Sequence, residues 1–298
     1  MNTLAAKISD TLIDEIVGAV GLPKTQRTHA IFSHLFGHIS DRLGVIGEKF
    51  DRISVEEGFP AASRYALTHF CHPTQVHGAE NIPEKGPLMV ISNHPGTYDS
   101  LVLFASLERH NIRCVTSVIP PLDALPNARQ YFLFTPSEDV RERMLVLRRA
   151  INHLKDGGAL VYFPAGHREP DPAVYSGGAE SLKQWMDVFG AFFKYVEGLR
   201  MLPVIVSGVI SEKWAKHPIA WIRKKQIDKQ RLAEFGQVMS QLIKPGKLMI
   251  TPRISFGPSF SLTDLQEDVG SGGVFNAAIK RVKDLFRESS ANFGDFVI

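Results

Sequence analysis

The sequence is poor in cysteine and in long apolar runs. Its two cysteines, Cys71 and Cys114, form no CxxC pair, so we expect no disulfide framework and a reducing compartment. The longest apolar stretches, such as residues 201–210, are near ten residues long. A membrane-spanning helix needs about 20 apolar residues. We therefore expect a protein that does not cross a membrane.

Net charge is also low, at +3 over 298 residues. Nucleic-acid binding calls for a strong basic patch, so we expect no nucleic-acid partner, while an anionic substrate or an anionic membrane surface would suit a mildly basic protein. The segment 1–20 is acidic and lacks the basic and apolar regions of a signal peptide. We expect a cytoplasmic location, with peripheral attachment to the inner face of a membrane as an open option.

Apolar periodicity divides the chain into two regions. Residues 1–78 have helical spacing, as in Leu4, Ile8 and Leu12, although Gly58 and Pro60 interrupt the last helical piece. The polar segment 77–87 is typical of a linker. The pattern predicts a helical N-terminal region over 1–78 and a second domain over 79–298.

The second region alternates short apolar runs with helical patterns. The runs lie at 88–92, 112–118, 159–163, 202–209 and 248–256, and the helical patterns at 98–109, 138–155, 180–197, 226–243 and 273–287. Such alternation predicts an α/β fold with a mostly parallel sheet flanked by helices.

The stretch VISNHPGTYDS (90–100) joins one predicted strand to the next helix. Loops at the carboxyl ends of parallel strands are where ligands bind in open α/β sheets. Asp99, at the start of the helix, can orient the ring of His94, whose other nitrogen then serves as a general base. The alternative is a loop histidine beside an aspartate that only caps the helix.

The stretch ALVYFPAGHREP (159–170) follows another predicted strand and should open on the same edge. Pro164 and Gly166 turn the chain after Phe163, and His167 and Arg168 follow. The arginine offers a planar, permanently charged group for a phosphate or carboxylate. The alternative is a solvated surface arginine.

Together these stretches resemble a known family. NHPGTYD (93–99) is similar to the NH-x4-D block of the glycerolphosphate and lysophosphatidate acyltransferases (PlsC-like), FPAGHR (163–168) to their FPEGTR block, and LPVIVSG (202–208) to a later proline-led strand. The resemblance covers residues 80 to 260. It implies transfer of an acyl group from an acyl-CoA or acyl-carrier thioester to a hydroxyl or amine of a lipid precursor that bears a phosphate.

The resemblance also implies a role for each residue. His94 would be the base and Asp99 its orienting carboxylate, Arg168 would hold the acceptor's phosphate, and Pro203 would shape the pocket wall. The further substrate-binding residues are then Asn93, Gly96, Thr97, Phe163, Pro164, Gly166 and His167. No metal, bound cofactor or covalent intermediate is implied. Backbone N–H groups of Gly96 and Thr97 are candidates for stabilising the oxyanion.

Three features depart from the family pattern. Ala165 stands where the family has glutamate, and His167 where it has threonine, so the acceptor is open; Glu169 should point elsewhere. The insertion 169–185 is a candidate lid or pocket wall, and its Gly177–Gly178 pair is either an anion site or a plain helix start.

Other patterns allow two interpretations each. The basic, tryptophan-containing segment 211–231 fits an interfacial membrane element or a solvated face with inward tryptophans. The histidines near residue 34 fit ordinary structural positions better than a metal site. Two rival functions remain for the whole chain: a thioester hydrolase, or a non-enzymatic module that binds a lipid or acyl carrier.

Overall fold

The structure is a computed structural model that describes residues 3–19, 22–135, 139–219, 223–267, 273–294 and 296–297. Within them, one sheet has seven strands in the order β1-β7-β6-β2-β5-β3-β4. The strands are β1 (Gln75–His77), β2 (Leu88–Ser92), β3 (Ile112–Ser117), β4 (Phe132–Thr135), β5 (Ala159–Tyr162), β6 (Arg200–Ser207) and β7 (Arg253–Phe256).

The sheet is parallel at every pairing except that of β6 with β7. Neighbouring helices lie on its two faces, so the prediction of a mostly parallel α/β fold is confirmed. The helices are α1 (Leu4–Ala19), α2 (Gln26–Glu56), α3 (Phe59–Leu67), α4 (Asp99–Leu107), α5 (Pro120–Asp123), α6 (Val140–Lys155), α7 (Gly178–Ser181), α8 (Phe189–Tyr195), α9 (Glu212–Ala215), α10 (Gln226–Ile243), α11 (Leu262–Glu267) and α12 (Gly273–Phe293).

Central strand β2 shows why this chain forms a parallel sheet. All five of its residues are buried, as expected of a strand covered on both faces. Because successive side chains alternate between faces, Leu88 and Val90 enter one apolar core while Met89 and Ile91 enter the other. The sheet thus separates two cores, and its carboxyl edge is left for loops.

The N-terminal helices share the first of these cores. Phe50 and Phe59 pack in the same cluster as Leu88, and the buried carboxylate of Asp51 accepts hydrogen bonds from the backbone of Asn127 and Ala128. Pro60 occupies the first turn of α3 and Gly58 precedes it with φ +92°. These two residues therefore mark the start of a helix rather than an interruption. The division at residue 78 stays a prediction.

Several elements differ from the sequence-based expectations. β1 and β4 were not predicted; both lie at the sheet's edges. The helix predicted over 180–197 is instead α7, a 3₁₀ turn at Leu182–Gln184, and α8. The run at 248–256 forms a strand only from Arg253 onward, because Pro252 cannot donate to the ladder before it.

Among the described residues, no helix is both long enough and apolar enough to span a bilayer. Cys71 and Cys114 are buried free thiols. Glu138, at the start of one predicted helix, and Trp221, in the segment 211–231, lie outside the described residues.

Candidate active site

Three loops meet at the carboxyl edge of the sheet. β2 pairs in parallel with both β5 and β6, so the chain that follows each of these strands emerges at one edge. We call residues 93–98 the histidine loop and residues 163–177 the arginine loop. The third loop begins at Gly208, after β6.

The histidine loop holds a short contact between imidazole and carboxylate. His94 Nδ1 lies 2.7 Å from Asp99 Oδ2, and the same oxygen accepts a hydrogen bond from the backbone N–H of Gly96 at 2.9 Å. The Asp99 side chain is fully buried at the first residue of α4. Its other oxygen, Oδ1, is buried without a hydrogen-bond partner.

This carboxylate sets the protonation of the ring. Burial lowers the pKa of His94, but the charge and hydrogen bond of Asp99 outweigh it, so the pKa lies above the ordinary value. An imidazolium formed here is therefore stabilised. With Nδ1 committed to Asp99, the nitrogen left to exchange a proton with a ligand is Nε2, which no described residue hydrogen-bonds.

The His94 ring is partly open, with 29% of its side chain exposed. One face stacks on Phe163, with ring centroids 4.5 Å apart and an interplanar angle of 30°. Phe163, the first residue after β5, therefore fixes the orientation of the imidazole. This packing brings the two predicted motifs into direct contact.

Arg168 joins the same cluster through a carboxylate that the sequence did not suggest. Its Nε lies 3.1 Å from Glu234 Oε2 on α10, an ion pair without the alignment of a hydrogen bond. The same oxygen accepts a hydrogen bond from Thr97 Oγ1 at 2.8 Å. Neither terminal nitrogen of Arg168 is hydrogen-bonded to a described residue, so the guanidinium can still receive an anion.

The remaining predicted site residues have different surroundings. Asn93 is buried, and its amide both donates to Val206 O and accepts from Val206 N, which ties the histidine loop to β6. Pro203 is buried inside β6, where Ile91 is its neighbour. Both residues therefore shape the site from behind.

In the arginine loop, the backbone carbonyl of Pro164 accepts from Met186 N, and Gly166 takes a φ of +69° that favours glycine. His167 is exposed, and Ala165 is buried within the second apolar core. A glutamate at position 165 would have to place its carboxylate among these apolar side chains.

Glu169 contradicts the expectation that it points elsewhere. Its carboxylate accepts from the backbone N–H of His94 at 3.0 Å, while its backbone N–H donates to His94 O at 2.9 Å. Ser181 Oγ and Trp185 Nε1 donate to its other oxygen. One buried carboxylate thus ties the insertion 169–185 against the base, so this insertion forms a wall of the site. The helix that follows Gly177–Gly178 has only four residues, too few for an anion site.

Helix α10 buries a polar stripe behind the two loops. The stripe consists of Gln230, Glu234, Gln237 and Gln241. Gln230 donates to Pro95 O and Glu169 O, Gln237 to Val209 O, and Gln241 to Phe70 O and Leu248 O. The spacing of three and four residues was visible in the sequence, but a polar stripe on a helix is typical of a solvent-facing surface.

Burial raises the pKa of Glu234 to about 6, although Arg168 and Thr97 act in the opposite direction.

Two further observations concern the surroundings of the site. Asp171 accepts hydrogen bonds from Gly208, Val209 and Ile210, which fixes the third loop. No group of histidine, cysteine, aspartate and glutamate side chains suited to a metal ion occurs within the described ranges.

Two cavities lie away from His94. One of about 1120 Å³ is lined by residues such as Leu67, Ile82 and Leu107, and one of about 370 Å³ by His38, Phe70 and Leu242. Neither is lined by His94 or Arg168, so neither is a direct path to the base.

Comparison with known proteins agrees with this geometry. Residues 73–207 match the family model described as Acyltransferase, a range that includes both loops and Pro203 but not Glu234. These residues define the protein as an acyltransferase. The match confirms the resemblance to the PlsC-like acyltransferases found in the motifs of this part of the chain.

Other comparisons are weaker. No curated protein sequence matches the chain. Among solved structures, the chain is similar to the 1-acyl-sn-glycerophosphate (LPA) acyltransferase PlsC from Thermotoga maritima, at 18% identity over 98% of each chain, with a TM-score of 0.43. A likeness at this level carries no argument about substrates.

Proposed function

We propose that the protein transfers an acyl group from an acyl-CoA or acyl-carrier thioester to a hydroxyl or amine of a lipid precursor. The observation that carries the proposal is the 2.7 Å contact of His94 with Asp99, which leaves Nε2 as a base at the sheet edge beside Arg168. The family-model match over residues 73–207 supports the reaction type, and the acceptor and donor are inferred from the chemistry of the site.

The reaction requires one proton to be moved twice. His94 Nε2 takes the proton from the acceptor hydroxyl as its oxygen attacks the thioester carbonyl, and Asp99 stabilises the imidazolium. The tetrahedral intermediate then expels the thiolate, which receives the proton from His94. A positioned base of this kind contributes roughly 10²–10⁴-fold to the rate. A thioester is already activated, so no covalent intermediate with the protein is needed.

Of the two backbone N–H groups expected to stabilise the oxyanion, those of Gly96 and Thr97, only one is free to do so among the described residues. Gly96 N–H donates to Asp99, so it is committed to orienting the carboxylate. The backbone N–H of Thr97 donates to no described acceptor and is the better candidate for the developing oxyanion. Arg168 then binds the anionic part of the acceptor.

A labelled acyl-CoA assay with mass spectrometry of the products tests this function. We expect His94→Ala to abolish formation of acylated acceptor while the variant stays folded, and His110→Ala, an exposed histidine before β3, to retain it. Full activity of His94→Ala would contradict the mechanism. Thioester cleavage without acylated product would favour a hydrolase, and no thioester consumption a binding module.

We also propose that the protein works on an anionic membrane surface, as a peripheral protein of the cytoplasmic face. The segment after β6 begins at the same sheet edge as His94 and exposes Lys213, Lys216, Arg223, Lys224 and Lys225. Trp214, in the same segment, is partly buried. It stacks on His217 and packs against Gly236. At this one position the structure therefore fits the alternative, a tryptophan packed inward.

Vesicle sedimentation tests this attachment. Replacing Lys213, Lys224 and Lys225 with glutamate should weaken binding to vesicles rich in anionic lipid, because each surface lysine contributes about 1 kcal/mol. Equal binding of the variant and the original protein would contradict the attachment.

A further inference from the structure

We propose that Glu234 is a specificity-determining residue that selects acceptors carrying an ammonium group beside their anionic group. This inference rests on the proposed function, because it names the acceptor class that the site would take. It concerns a residue outside the matched family range, on helix α10.

The first argument is an unsatisfied buried oxygen. The Glu234 side chain is 6% exposed. Oε2 has Thr97 and Arg168 as partners, whereas Oε1 is buried without any. Gln237 and Gln241, on the same stripe, use both ends of their amides. A buried polar atom left alone costs free energy. Glu234 Oε1 is the only side-chain atom of the stripe that is buried without a partner, so it marks a place for a donor from outside the protein.

The second argument is the position of this oxygen. A Cβ added at Gly96 would lie 3.6 Å from Glu234 Oε1 and 3.5 Å from its Cδ. Gly96 also donates to Asp99, the carboxylate that holds His94. The unpaired oxygen therefore faces the histidine loop where Gly96 lacks a side chain, a position that Val209 Cγ2 also approaches, at 3.2 Å from the added Cβ.

The third argument is charge. Arg168 is the cation expected to hold the acceptor's anion, and Glu234 already opposes its charge at 3.1 Å. A phosphate monoester with two negative charges would meet the carboxylate as well as the guanidinium. A zwitterion fits both, since its anion can reach the terminal nitrogens of Arg168 while its ammonium donates to Oε1.

Tyr175, in the arginine loop, has a second buried group without a partner. Its hydroxyl is buried without a hydrogen-bond partner. Burial raises the pKa of this hydroxyl, and the charges of Asp171 and Glu234 raise it further. It therefore stays protonated.

Binding calorimetry with three soluble head groups tests the inference without relying on turnover. The probes are glycerophosphoethanolamine, which has an ammonium group, glycerophosphoglycerol, which has the same phosphodiester charge without it, and glycerol 3-phosphate. The original protein should bind the first about tenfold or more tightly than the other two, since a charge-assisted hydrogen bond has that effect.

Glu234→Gln should lose this preference, and Asp228→Asn, which removes a negative charge elsewhere on α10, should keep it. Equal binding of the two phosphodiesters would overturn the inference, as would tighter binding of glycerol 3-phosphate, no measurable binding of the first probe, or an unchanged preference in a folded Glu234→Gln variant.

If Glu234→Gln does not fold, Thr97→Val tests the same oxygen pair by removing the hydrogen bond to Oε2. It should reduce the preference, and no reduction would count against the inference. Failure of the proposed function is a separate result: the original protein would show the binding preference but form no acylated product with any acceptor.

Discussion

Two arginines, one at the amino ends and one at the carboxyl ends of the parallel strands, differ in their hydrogen-bond partners. Arg109, which is 9% exposed, donates to three backbone carbonyls, those of Pro83, Gly86 and Gly157. Among the residues that the structure describes, Arg168 has only an ion pair with Glu234. Arg109 donates hydrogen bonds to the carbonyls of the turns at the amino ends of the strands. Arg168 keeps unused N–H donors at the carboxyl ends. The contrast separates an arginine that holds the fold from one whose terminal nitrogens are left for the proposed ligand.

After loss of His94 itself, the largest effect should come from Asp99, the carboxylate that orients its ring. Asp99→Asn removes the charge that favours the imidazolium, so we expect activity to fall by roughly 10²–10⁴-fold. The base must be neutral, and the pKa of His94 is raised, so kcat/KM should fall as pH drops through a midpoint above the ordinary histidine value.

In Asp99→Asn that midpoint should move to lower pH, which the pH dependence of kcat/KM would show. An unchanged midpoint would mean that Asp99 does not control the ionisation of His94.

The arginine contrast itself is tested by matched substitutions. Arg168→Gln should lower kcat/KM by about 10- to 100-fold per folded molecule, as expected for lost hydrogen bonds to a charged group. Arg109→Gln should lower the free energy of unfolding by about 3 kcal/mol, because three carbonyls lose their charged donor.

The activity per folded molecule of Arg109→Gln should be unchanged. Steady-state kinetics measures the loss of activity, and urea unfolding measures the loss of stability. The contrast would be refuted if Arg109→Gln lowered activity per folded molecule and Arg168→Gln did not.

The smallest effect that we expect is on the free energy of unfolding, which the buried charge of Glu234 lowers near neutral pH. Its pKa is about 6 in the fold, against 4.5 as the ordinary value, so the folded protein binds this proton more tightly than the unfolded chain. The resulting contribution to stability is present at low pH and is lost as pH rises through 6.

Glu234→Gln should therefore stabilise the protein by about 2 kcal/mol near neutral pH, with the difference shrinking as pH falls toward 4.5. Urea unfolding at several pH values measures this change, with Asp228→Asn as the control. A Glu234→Gln variant of equal or lower stability at neutral pH would show that the carboxylate is not held at a cost.

Sequence patterns predicted the parts of the fold that are buried. β2 and α10 were predicted with the observed bounds, because an apolar run and a helical pattern define them. β1 was missed because its three residues are exposed at the sheet edge, where no apolar pattern is needed.

The site follows the same division. His94, Asp99, Phe163 and Arg168 could be placed at one edge from the strand order of a parallel sheet. Glu234 could not, since its arrival beside Arg168 depends on how α10 rotates against the sheet. Glu169 was misjudged because its side-chain direction is set by the turn at Gly166 and by Trp185, which only the folded chain defines.

Strand β7 limits how far the enzyme can be reduced to its recognisable core. It lies between β1 and β6 and alone connects β1 to the sheet, yet it follows the matched family segment by more than forty residues. A fragment cut at the limits of that segment would leave β1 without a neighbour and uncover one side of β6, a template for aggregation. Shortened versions of this enzyme for expression or screening must therefore extend at least through Phe256.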